Sequence, residues 1–160
     1  MYTGIGASAG IGIGSAVIVK EPSLAYDNKA VSDVDAEKKR LAEALDKCIA
    51  KTQAMADDMK ERVGEKEAEI LEGHVLLLMD PEMTGQMETS IADDKMCAEA
   101  AVEKICDYHM QMFSSIDDEM FQQRATDVCD IKTRLLKILL DVEDVDLANV
   151  PEGTVLVAED

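Results

Sequence analysis

From Ser32 onward, apolar positions recur along the chain with a helical period. Leu41, Leu45, Cys48, Thr52, Met55 and Met59 follow one another at alternating steps of four and three. This spacing predicts a long helix with one continuous buried seam. Ser32-Asp33-Val34-Asp35 supplies a start, because the Ser32 hydroxyl can accept a free backbone N–H and acids favour the first turn. Val63-Gly64 marks the end. A second helix is expected from Glu65, with Ile70, Leu71, His74, Leu77 and Leu78 on its inward stripe. It should break at Asp80-Pro81, since proline disfavours helical geometry in the residue before it. Asp80 can then cap a further short helix, with Pro81 in its first position and Met83, Met87 and Ile91 along it.

A third long helix is expected from about Cys97 to Phe113, with Ala101, Ile105 and Met112 facing inward. After the short connection SSIDDE, a fourth starts near Glu119 and carries Phe121, Ala125, Val128, Ile131, Leu135 and Ile138. Short loops between long amphipathic helices imply antiparallel neighbours. The ends of the chain read differently. GIGASAGIGIG leads into the β-branched SAVIVK, which predicts two short strands joined by a turn. PEGTVLVAED reads as a turn and a strand. The fold class is therefore mainly α, an antiparallel four-helix bundle set between terminal strands too few to form a sheet of their own. The boundaries are 1–20 for the N-terminal strands, 21–143 for the helical domain and 144–160 for the linker and returning strand.

Composition narrows the function. Aromatics make up 3% of the 160 residues, so the core must be built from Leu, Ile, Val, Ala and the ten Met. A formal charge of −18 argues against nucleic acid and anionic membranes as partners, and favours a basic protein partner. Cys48, Cys97, Cys106 and Cys129 form no C-x-x-C pair and read as reduced thiols of a cytoplasmic protein. No apolar run reaches the roughly 20 residues of a membrane span, and MYTGIGASAG lacks the basic start of a signal peptide.

Candidate chemistry is sparse. The glycines precede a strand instead of following one and opening a helix, which argues against a dinucleotide loop. A carboxylate-bridged metal site needs Glu-x-x-His pairs, yet Leu71 and Cys106 stand three residues before His74 and His109. His74 is expected to be a half-buried residue bonded to a neighbouring carboxylate. Taken alone, these residues describe an acidic helical binding module, and a free-standing adaptor is one reading of it.

Four blocks, GIGASAGIGIGSAVIVK, EILEGHVLLLMDPEM, RATDVCDIKTRLL and VPEGTVLVAED, resemble in order and spacing the enzyme I family. These are the phosphoenolpyruvate-protein phosphotransferases of the bacterial sugar phosphotransferase system. The resemblance implies a helical domain that docks the phosphocarrier HPr, inserted in a swivelling phosphohistidine α/β domain. It also implies a C-terminal barrel that binds phosphoenolpyruvate and magnesium and makes the parent a dimer. The Gly-Gly-x-Thr-Ser-His motif of the phosphorylated histidine is absent from these 160 residues. The expectation is thus a monomeric N-terminal fragment that binds HPr without a cofactor and transfers no phosphoryl group. By motif position, Leu76, Leu77, Met83, Phe113, Met120 and Phe121 would form an exposed apolar surface. Glu65, Glu69, Asp80 and Glu82 would form its acidic rim, and Arg124 a polar contact. One departure is Glu67, where the family often carries a lysine; Lys66 stands beside it.

Overall fold

The structure, a computed structural model, describes residues 6, 8–19, 22–142 and 150–158. Its elements run β1 (Ser15–Val19), α1 (Val34–Arg62), α2 (Glu65–Leu78), α3 (Pro81–Asp94), α4 (Ala98–Ser114), α5 (Glu119–Leu139) and β2 (Thr154–Ala158). The chain divides into two compact units, Leu24–Glu143 and the combined segments Met1–Ser23 and Asp144–Asp160.

In the second of these, β1 and β2 pair in parallel, with Ser15 opposite Thr154 and Val19 opposite Ala158. Of the two expected N-terminal strands, β1 is one; among the described residues from 8 to 14 there is no strand, and residues 1–5 and 7, where the other could fall, lie outside the described residues. Gly14 explains the boundary. A Cβ there would lie 1.9 Å from the Gly153 carbonyl oxygen, which accepts the Ser15 N–H at 2.9 Å. Only glycine permits so close a strand entry. Ile18 is 68% exposed, and Val17, Leu156 and Val157 are also exposed.

Among the described residues the helical unit has five helices, the four long ones expected and the one expected after Pro81. The short segment expected after Pro81 is as long as α2, at 14 residues each. Three starts are capped by aspartate: Asp33 accepts from Ala36 N, Asp80 from Glu82 N and Asp118 from Met120 N. Each satisfies a backbone donor that has no partner inside the helix. The core gathers Leu41, Leu45 and Cys48 of α1, Leu78 of α2, Met83, Met87 and Ile91 of α3, Val102 and Cys106 of α4, and Val128, Ile131 and Leu135 of α5. Burial pushes the Cys106 thiol up to about 12, so it stays protonated at neutral pH.

The α1 seam departs from its expected course after Thr52. Ala56 is buried while Met55 is exposed. A straight helix drifts from a strict alternation of threes and fours, and the buried face moves with it. Ala56 and Ala68, both small and buried, lie on the two adjacent helices α1 and α2. Ile70 and Met112, expected inside, are likewise exposed.

The start of α4 has no side-chain cap of its own. Glu37 of α1 supplies one, accepting from Ala98 N at 2.6 Å. Arg40 then donates to Glu37, to Glu99 and to the Leu139 carbonyl, so one guanidinium joins α1, α4 and the end of α5. Burial is the largest single influence on the carboxyls of Glu37 and Glu99 and would raise both, but the hydrogen bonds and charge of Arg40 together with backbone N–H donors outweigh it and hold both below the ordinary value.

A lowered folded pKa contributes stability that is present above the unfolded value and lost as pH falls through the folded one. Arg40→Met is therefore expected to cost about 2 kcal/mol at neutral pH, by leaving two partly buried carboxylates unpaired. Between about pH 5 and 3 the native protein should lose stability more steeply than this variant. Urea denaturation of both across that range checks it; parallel slopes would refute the assignment.

Candidate docking site

The C-terminal turns of α2 place Gly73, Leu76 and Leu77 on one face, at helical steps of three and one, and Asp80 follows as the N-cap of α3. The first turns of α5 present Met120, Phe121 and Arg124, and the end of α4 adds Phe113. These residues line one open groove of about 360 Å³. Its floor is apolar: Leu76 is 71% exposed, Met120 is exposed, and the rings of Phe113 and Phe121 lie tilted with centroids 6.2 Å apart. Asp80 and Arg124 are its charged groups. Of the residues expected from the sequence, Leu76, Leu77, Asp80, Phe113, Met120, Phe121 and Arg124 are thus brought together here.

Two further depressions adjoin the groove through shared residues. One, of about 480 Å³, shares Gly73, Met120 and Arg124 and adds Lys66, Glu67, Glu69, Ile70, Gln123 and Asp127. The other, of about 270 Å³, shares Leu77, Asp80 and Phe113 and adds Glu82, Met83, Tyr108, His109, Met112 and Val128. Glu69 and Glu82 therefore line the two depressions that adjoin the groove. Glu65 lines none of the three; it pairs with Lys60 at 2.8 Å. Asp80 makes no ion pair among the described residues, and its carboxylate caps α3 instead.

Met83 is corrected. It is 2% exposed and belongs to the core, although it borders the third depression. The same stripe that carries Met87 and Ile91 turns it inward, and motif position alone does not reveal that. His74 is also more buried than expected, at 2%. Its partner is Asp127 of α5, with Nε2 3.3 Å from Oδ1, and not the adjacent Glu72. Nδ1 is buried without a partner among the described residues. The tautomer with hydrogen on Nε2 fits this setting, since it donates to the carboxylate and buries no unmatched N–H.

Tyr108, Met112 and Ile70 are surface residues of this region that periodicity did not reveal. Among the described residues no group of His, Cys, Asp and Glu could hold a metal ion, and no helix is long and apolar enough to cross a membrane. The arrangement offers an apolar, acid-rimmed surface.

The sequence matches the family described as PEP-utilising enzyme, N-terminal, over residues 3–124. The chain belongs to that family. Among PEP-utilising enzymes, it is 37% identical over 161 residues to the phosphoenolpyruvate-protein phosphotransferase of Enterococcus faecalis, covering all of this chain and 28% of the relative. It is 38% identical over 157 residues to the protein of the same name from Listeria monocytogenes, covering 98% of this chain and 27% of the relative. The chain therefore spans little more than a quarter of the length of these relatives. The NMR solution structure of an Enzyme I protein superposes with a TM-score of 0.89 at 29% identity, over all of this chain and 65% of that one.

Because Met83 sits in the core of this PEP-utilising enzyme domain, Met83→Ala is expected to cost about 2–3 kcal/mol of stability through the cavity it leaves. Urea denaturation measures this; an unchanged midpoint would return Met83 to the exposed surface.

Proposed function

We propose that this chain is the HPr-docking part of a phosphoenolpyruvate-protein phosphotransferase, enzyme I of a bacterial sugar phosphotransferase system. In this reading the whole protein, using magnesium, takes a phosphoryl group from phosphoenolpyruvate onto a histidine and passes it to HPr in the cytoplasm. Residues 21–143 form the docking insertion, with 1–20 and 144–160 belonging to a larger α/β domain. The exposed apolar side chains of β1 and β2 support the last point, since parallel strands are ordinarily covered on both faces.

The observation that carries the proposal is the groove between α2, α4 and α5. Phosphoryl passage between two proteins requires close approach and then release. A modest apolar patch with a charged rim suits such an encounter better than a permanent interface. Leu76 and Met120 provide desolvated contact, and methionine adapts to a partner's contour. Asp80, Glu82 and Glu69, on a chain of formal charge −18, attract a basic face and make association sensitive to salt. His74 packs against Asp127 and is not the phosphoryl acceptor in this scheme.

Titration of isotope-labelled HPr with this chain tests the proposal. Shifts should cluster around HPr's active histidine and weaken as salt rises. Leu76→Ala and Arg124→Ala are each expected to weaken binding about tenfold, roughly 1.4 kcal/mol, with unchanged unfolding midpoints because both side chains are exposed. No shifts at high concentration of both proteins would overturn the docking role, and unchanged affinity in both variants would remove the groove from it.

A further inference from the structure

Arg124 lies where the groove meets the depression beside it. Its Nη1 is 3.6 Å from where a Cβ on Gly73 would sit, so the guanidinium rests over the α2 backbone at a residue with no side chain. One turn further along α5, Asp127 approaches it, with Oδ2 3.8 Å from Nη1. That carboxylate is largely covered, at 15% side-chain exposure, and its other oxygen is bonded to the buried His74. Each oxygen of Asp127 thus has its own neighbour, a fixed ring on one side and a half-exposed guanidinium on the other. The ion pair is too long to be a hydrogen bond, and Arg124 makes none among the described residues. Its N–H donors are attracted to Asp127 without being consumed.

We propose that Asp127, anchored by His74, is a positioning residue that holds Arg124 over Gly73 for docking; this rests on the docking reading above. A free arginine side chain loses rotamer entropy when a partner captures it. One held in place before the encounter loses less, and the difference appears as affinity. The buried ring stops the carboxylate from rotating out toward solvent, so the anchor stays aimed at α2. Arg124 touches the partner's acceptor oxygen, while Asp127 and His74 act through it.

The test is a double-mutant cycle on HPr binding with Asp127→Asn, Arg124→Ala and the two combined. Asparagine keeps an oxygen to accept from His74 Nε2 but removes the charge that holds Arg124. Asp127→Asn is expected to weaken binding about fivefold in the native background and not at all in the Arg124→Ala background. An equal loss in both backgrounds, or no loss in either, overturns the coupling. Nitrogen-15 spectra of the Arg124 side chain provide a readout independent of any partner: restricted guanidinium rotation in the native chain, freed in Asp127→Asn. Unrestricted rotation in the native chain overturns the positioning role even where binding is intact. Absence of HPr binding by the native chain overturns the docking reading itself, and a restricted Arg124 would then show the two failures to be separate. Should Asp127→Asn lower the unfolding midpoint, Asp127→Glu, which keeps the charge and shifts it by one methylene, replaces it and is expected to lose part of the restriction.

Discussion

The break at Asp80–Pro81 is the constraint from which the helical unit takes its form. Proline has no N–H to give and pushes the residue before it out of helical geometry. A continuous helix from Glu65 to Asp94 could not turn one stripe inward along its whole length while leaving an apolar end open. Interrupted here, α2 ends with Leu76 exposed and Leu77 half-buried, and α3 restarts with Met83, Met87 and Ile91 in the core. Asp80 has two consequences at once. Its carboxylate satisfies the first free donor of α3, and that bond keeps a negative group at the edge of the groove.

Much of the helical architecture was legible because the residues that begin and end helices are chemically explicit. Asp80 is a short acceptor placed just before a proline and an apolar repeat, and a reversal at Val63–Gly64 is plain from composition, whereas the cap of α1 is Asp33 and not the expected Ser32, and Asp118 caps α5 with no signal beyond its residue type. Long-range polar joints were not legible. Nothing in the local sequence connects Glu37 with the start of α4, or Arg40 with Glu99 and the Leu139 carbonyl, because these pairs are set by how the helices cross. The same holds for His74: its nearest acids in sequence are not its partner, and the one that is, Asp127, comes from a different helix.

The groove was legible by resemblance more than by pattern. Periodicity sorts residues into inward and outward faces, but a binding surface consists of outward residues that happen to be apolar. Leu76 was placed there by motif position, whereas Ile70 and Met112 were assigned inward on spacing alone and lie outside. Met83 failed in the opposite sense. It lies on the boundary between core and groove, where a single helical step decides which side a side chain joins. At the rim, Glu65 falls at the first residue of α2, away from the C-terminal turns that line the groove, and pairs with Lys60 instead.

The parallel pairing of β1 with β2 bears on how the chain folds. Two parallel neighbours cannot be joined by a tight turn, and here the connection is the entire run from Lys20 to Gly153. Closing so long a flexible loop carries an entropic cost that a ladder of only five residues on each strand offsets poorly. A connection already condensed into packed helices leaves far fewer conformations to surrender. Strand pairing is then a late event in folding and an early casualty of unfolding, and the two-stranded ladder should exchange its amide hydrogens faster than the helical core does.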